Sequence, residues 1–133
     1  MNNYINEYWY RDGSYENNMF SYQEGFLNGN LWRNLYQPYK NRKRIDYIPK
    51  SEQEKQLMEI SALSFAAHEL NLYLDLHPED QSMFLLFQDY QRKINQLMEE
   101  YTEKYGPLCI SGNAMSQSFD WVNTKWPWEG YNV

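Results

Sequence analysis

Six side chains near the middle of the chain, His68, Glu69, Asp75, His77, Glu79 and Asp80, are of types that bind metal ions. Di-metal sites in four-helix proteins use Glu-x-x-His pairs on two helices plus a single Glu on each of two others. Here His68 directly precedes Glu69, no His stands three residues after any Glu, and His-Glu-x-x-His does not occur. A plainer account has Asp75 and His77 punctuating a helix junction and Glu69 in a local ion pair. The competing reading is a small helical metalloprotein or self-assembling scaffold with a site around Glu69, Asp75 and His77. Cys109 is the only cysteine, so it forms no disulfide framework and no cysteine-rich zinc site within the chain. It follows Pro107 with no basic neighbour in sequence to activate it, and reads as structural. Glu99 and Glu100 are adjacent, so on a helix they do not face each other. No residue pattern points to catalysis, and no catalytic residue, metal ligand or cofactor is assigned.

The elements that carry these residues are bounded by composition. The chain has 133 residues, a net charge of −6 and 18% aromatics, enough for one small domain whose core is marginal without a partner. Mean hydropathy is −0.88, yet the aromatic content argues against generic disorder. No run approaches the ~18 apolar residues that span a bilayer, and the opening MNNYINEYWYRDG lacks the basic and apolar regions of a secretory signal. The expectation is a chain made in a cytoplasm. Acidity also disfavours nucleic acid as a partner. Residues 1–50 carry a balance of +2 and residues 51–133 one of −8, while eight of thirteen tyrosines precede residue 51. These shifts divide the chain near Pro49–Ser51 into a Tyr/Asn-rich extension, 1–50, and a second unit, 51–133.

Residues 1–21 show no sustained period and read as an extended or disordered tail. Phe26, Leu27, Leu31, Trp32 and Leu35 line one side of a short helix over Tyr22–Tyr36, weakened by Gly25 and Gly29 by about 1 kcal/mol each. The basic run Lys40–Arg44 then serves as a solvated linker, with phosphate or acidic partners as other options. Ser51 and Glu54 fit a capping box. After them Leu57, Ile60, Leu63, Ala67, Leu70 and Leu74 repeat at helical steps, flanked by Met58, Ala62, Phe65, Ala66 and Tyr73. This helix is apolar on more than one stripe, which implies burial against something beyond its own neighbour.

That helix should stop near Leu76, with Pro78 at the first position of the next. Met83, Phe87, Tyr90, Ile94, Leu97, Tyr101 and Tyr105 then form a near-heptad seam, ended by Gly106-Pro107. The fold class is all-α: an antiparallel two-helix hairpin over about 52–76 and 78–105, because so short a connection makes the helices antiparallel neighbours. An irregular, aromatic-rich tail follows, in which Phe119, Trp121, Trp126 and Trp128 either fold back over the hairpin or insert into a partner. Tyrosine abundance is read as packing, with oxidative cross-linking the alternative.

The chain carries Leu72-Tyr73-Leu74-Asp75-Leu76-His77-Pro78, Asp80, Phe87-x-x-Tyr90, Tyr105-Gly106-Pro107-Leu108 and Trp126-Pro127-Trp128. With these motifs at these separations, residues 60–129 resemble the CotJB family of bacterial spore-coat proteins. Gly25–Tyr39 resembles the short motif of CotJA, the companion coat protein, with Asn30 where Thr is usual and Arg33 where Pro is usual. The resemblance implies a non-enzymatic coat component, made in the mother-cell cytoplasm and deposited on the forespore. Its implied partners are companion coat proteins and a manganese-catalase-like coat protein, with a homo-oligomer as a further option. The expected docking residues are Leu31, Trp32, Leu35, Tyr36 and Tyr39 in the extension and Trp121, Trp126 and Trp128 in the tail.

Overall fold

The computed structural model describes residues 18–41, 43, 47–115 and 117–123. They form three α-helices, α1 (Tyr22–Asn28), α2 (Glu52–Leu76) and α3 (Gln81–Tyr105). Short 3-10 turns occupy Arg33–Leu35, Ile110–Met115 and Asp120–Asn123. Among the described residues there is no strand; Met19 and Trp32 form one isolated antiparallel bridge.

α1 starts where the Ser21 hydroxyl accepts a hydrogen bond from the Glu24 N–H at 3.2 Å. It ends eight residues before the expected Tyr36. Gly29 adopts the left-handed conformation at φ 73°, the Gly29 N–H reaches Phe26 O, and the Asn30 N–H reaches Gly25 O, a Schellman closure. Gly25 serves the same reversal, since a Cβ there would lie 3.2 Å from Leu31 Cα. Both glycines weaken a continuous helix because they are needed to turn the chain back.

α2 begins as the sequence predicts, with the Ser51 hydroxyl accepting from the Glu54 N–H at 3.1 Å. The return half of the capping box is displaced. Glu54 accepts from the Lys50 N–H at 2.7 Å and the Tyr47 hydroxyl at 3.0 Å. α3 starts three residues later than expected. His77 still closes α2, its N–H bonding Tyr73 O at 3.0 Å, so it cannot also cap a helix starting at Pro78. Asp80 takes that role by accepting from the Met83 N–H at 3.1 Å.

The two long helices pack antiparallel. Tyr73 donates to Asp80 at 2.9 Å at the tip. Gln53 donates to the Tyr101 hydroxyl at 2.9 Å and Gln56 to Leu97 O at 3.3 Å at the open end. Leu63, Ala67 and Leu70 of α2 and Met83, Tyr90 and Ile94 of α3 are buried between them. Phe87 and Leu97 are half-buried on the expected seam, and Tyr105 emerges into solvent.

The second stripe of α2 is covered by the chain itself. Glu59, Ala62, Ala66, Glu69 and Tyr73 share one face at steps of three and four. Tyr22 donates to the Glu59 carboxylate, the Leu31 N–H to Glu69 at 3.4 Å, and Trp32 stacks on Tyr73 with centroids 4.9 Å apart. The alanines let α1 and its return loop approach closely. Leu31 and Trp32 are thereby 0% and 1% exposed, so the surplus apolar surface read from the sequence is largely covered from within. The core draws on residues from both sides of the composition boundary at residue 50.

Burial and the Glu59 carboxylate push the Tyr22 phenol up to about 12 from an ordinary value of 10.0. The neutral phenol is the folded form, so its contribution is complete below pH 10 and is lost as pH rises through about 12. Tyr22→Phe should flatten stability against pH in that alkaline window, measured by urea unfolding. An unchanged slope would show that Tyr22 is not the group responsible.

Candidate functional site

The hairpin tip gathers the most chemically suggestive residues. Trp32, Tyr73 and His77 form a tilted stack, with Tyr73 and His77 centroids 4.6 Å apart. The Asp80 carboxylate joins the stack to the start of α3 by accepting from Tyr73, the Ser82 hydroxyl at 2.8 Å and the Met83 N–H. Partial burial pushes the Asp80 carboxyl up, but the bonds from Ser82, Met83 and Tyr73 outweigh it and leave it below the ordinary aspartate value. Such a cluster clamps a turn: aromatic stacking and a charge-assisted cap hold the two helices at their junction.

That arrangement assigns Asp80 a measurable role. Its depressed carboxyl stabilises the fold above the ordinary aspartate range and ceases to do so as pH falls below about 4. Asp80→Ala should cost about 1 kcal/mol at neutral pH, the usual value of a lost N-cap. The deficit should shrink in urea titrations at pH 3. An equal deficit at both pH values would refute the carboxylate's part.

The metal-ligand candidates do not converge. Glu69 lies within α2 and His77 closes it, eight residues or about 12 Å apart along the axis. Glu69 is turned to the Leu31 N–H, His77 is 4% exposed within the stack, and Asp75 is exposed. His77 and Glu79 approach to 3.9 Å, but among the described residues no three His, Cys, Asp or Glu side chains form a metal-sized group. Cys109 follows the far end of α3, roughly 37 Å from the tip by helix length. Hydrogen bonds from the Ser111 hydroxyl and the Gly112 N–H hold its thiol below the ordinary value. His77 lies at the other end of that helix.

The expected docking residues separate into two groups. Leu31 and Trp32 lie in the core, which makes them supports of the fold rather than exposed contacts. The periodicity that singled them out records an apolar face without saying which surface covers it. Leu35 and Tyr36 are half-buried, Tyr36 against Phe20 at 5.7 Å. Tyr39 stands 85% exposed. In the tail only the backbone of Trp121 is described, in the 3-10 turn Asp120–Asn123, and Trp126 and Trp128 lie outside the described residues. Nearby, Phe119 and Val122 are exposed. Asn30 and Arg33 have local tasks. Asn30 accepts from the Trp32 N–H at 2.8 Å, and Arg33 donates to Met19 O at 3.0 Å while lying 4.4 Å over the Phe20 ring.

Sequence reasoning missed the outward face of α2 near the tip. Leu72 and Leu76 are about half exposed, and their seven- and four-residue spacing from Phe65 and from each other was the available signal. Among the described residues no helix is long and apolar enough to cross a membrane.

Residues 54–129 match the family model described as CotJB protein. That span begins after Gly25–Tyr39, so it does not include the CotJA-like segment. No curated protein and no solved structure was found to match.

Proposed function

The chain belongs to the CotJB family, which makes it a spore-coat protein, and on that premise we propose that it is a non-catalytic interaction component of the coat. It assembles with a companion coat protein and a manganese-catalase-like coat protein after synthesis in the mother-cell cytoplasm. One observation carries this reading. The motif residues gathered at the hairpin tip, Tyr73, His77 and Asp80, are engaged with one another and with Trp32 in holding the hairpin turn. What is left for function is surface.

Docking is assigned to Tyr39 and to Trp121, Trp126 and Trp128. Indole side chains are favoured anchors at interfaces, and their loss commonly costs 2 kcal/mol or more, roughly thirtyfold in affinity. The CotJA-like segment, by covering α2, would give one chain part of what two coat proteins supply elsewhere. Co-expression of the full chain with its catalase-like and companion coat proteins tests the assignment. A defined complex is expected, weakened about thirtyfold by Trp126→Ala with Trp128→Ala. Undiminished binding by that double variant would remove the tail from the interface, and failure to form any complex would remove the proposed partners.

A further inference from the structure

Beside the faces buried by α3 and by the return loop, α2 carries a further apolar row of which only one part is covered. Phe65 packs edge-on against Phe26 of α1, with centroids 6.1 Å apart. Leu72 lies seven residues further on, and Leu76 one turn beyond that, so both continue the same face toward the tip. α1 and its return loop do not reach them: Leu72 and Leu76 are 50% and 51% exposed. The bare stretch is therefore continuous with an interface that the chain already uses to receive an apolar helix.

Its borders have one sign of charge. Glu69 and Asp75 stand three residues on either side of Leu72, where they are its neighbours on the helix surface, and Glu79 follows in the turn. No Lys or Arg occurs between Lys55 and Arg92. We propose that the Leu72–Leu76 stretch of α2, edged by Glu69, Asp75 and Glu79, is a docking site for an amphipathic helix of another protein that carries Lys or Arg along the borders of its apolar face. A ridge of leucines one turn apart suits a helix laid against it, and the acidic borders select a basic occupant. A second copy meeting this face about a two-fold axis would set acid against acid. The chain's own residues 1–17 hold three acids and one Arg, which is the wrong sign. Its basic run leads into Tyr47 and Lys50, which are bonded to Glu54 at the opposite end of α2.

The inference rests on the reading of the chain as an interaction protein but uses residues other than the tail tryptophans, so the two fail separately. The probe is a fluorescent synthetic amphipathic helix with a leucine stripe edged by lysines, titrated against the full chain. A control peptide has the same stripe edged by glutamates. The lysine-edged helix should bind and the glutamate-edged one should not. Leu72→Gln with Leu76→Gln should weaken binding about tenfold or more. Asp75→Asn with Glu79→Gln should weaken it and flatten its salt dependence. Circular dichroism checks that the variants, all altered at exposed positions, keep their helices. Equal binding of the two peptides, no binding of the lysine-edged one, or unchanged affinity in the leucine variant would overturn the proposal. So would sedimentation showing that the unmodified chain self-associates through these leucines.

Discussion

Trp32→Ala should lower stability by about 3–5 kcal/mol, the usual cost of emptying a buried indole site. Small domains have roughly 5–15 kcal/mol in total, so a large part of the population would lose cooperative folding at elevated temperature. Trp32 is 1% exposed, stacks on Tyr73 and sits among Leu31, Leu63 and Leu70. Its loss therefore leaves a cavity and unseats the return loop from α2. Trp32→Phe should recover part of the loss by keeping a ring on Tyr73. Urea unfolding monitored by circular dichroism is the measurement. A deficit below about 1 kcal/mol would mean that the loop is an accessory to the hairpin and not part of its core.

The second large effect concerns residues 1–50 as a whole. A chain beginning at Ser51 keeps every residue of α2 and α3 but loses α1, Leu31 and Trp32. It would expose Ala62, Ala66 and Tyr73, which are 1%, 0% and 0% exposed in the full chain. Two helices with one uncovered stripe have little beyond a single seam to offset the entropy of ordering. The shortened chain should show no sharp thermal transition, bind a hydrophobic dye and associate with rising concentration. A cooperative, monomeric hairpin with an unchanged melting temperature would establish residues 51–133 as an independent unit and the extension as an appendage.

Much of the hairpin was legible because its signals are local. Ser51 before Glu54, the three-four steps from Leu57 to Leu74, the seam from Met83 and the Gly106-Pro107 stop each act within a turn or two of chain. α2 accordingly begins and ends where the periodicity places it. Pro78 and Asp80 both suit a helix start, and α3 begins three residues beyond Pro78 because His77 already serves α2. The helix over Tyr22–Tyr36 was overextended for a related reason. Apolar spacing continues through Leu31 and Trp32, while the Gly29 turn sends them onto α2 from a new direction.

The candidate site was less legible. His77 and Asp80 are typical of ligand sets and equally typical of helix junctions, and only their bonds to Tyr73 and Met83 distinguish the two. Trp32 and Leu31 look like anchors for a partner until the cover they provide for Ala66 and Tyr73 is seen. Leu72 and Leu76 stand outside both apolar rows read from the sequence, and the end of that cover leaves them about half exposed.

Residue order alone determined that the chain is helical, where its two long helices run, and that α2 has more apolar surface than α3 can hide. The tertiary structure decided what hides it. Periodicity reports the direction a side chain takes from its own helix axis, set by backbone geometry within a few residues. Which surface meets that side chain depends on where a segment some forty residues away in sequence comes to rest, as Leu31 does beside Glu69, and that is settled by the packing of the whole molecule.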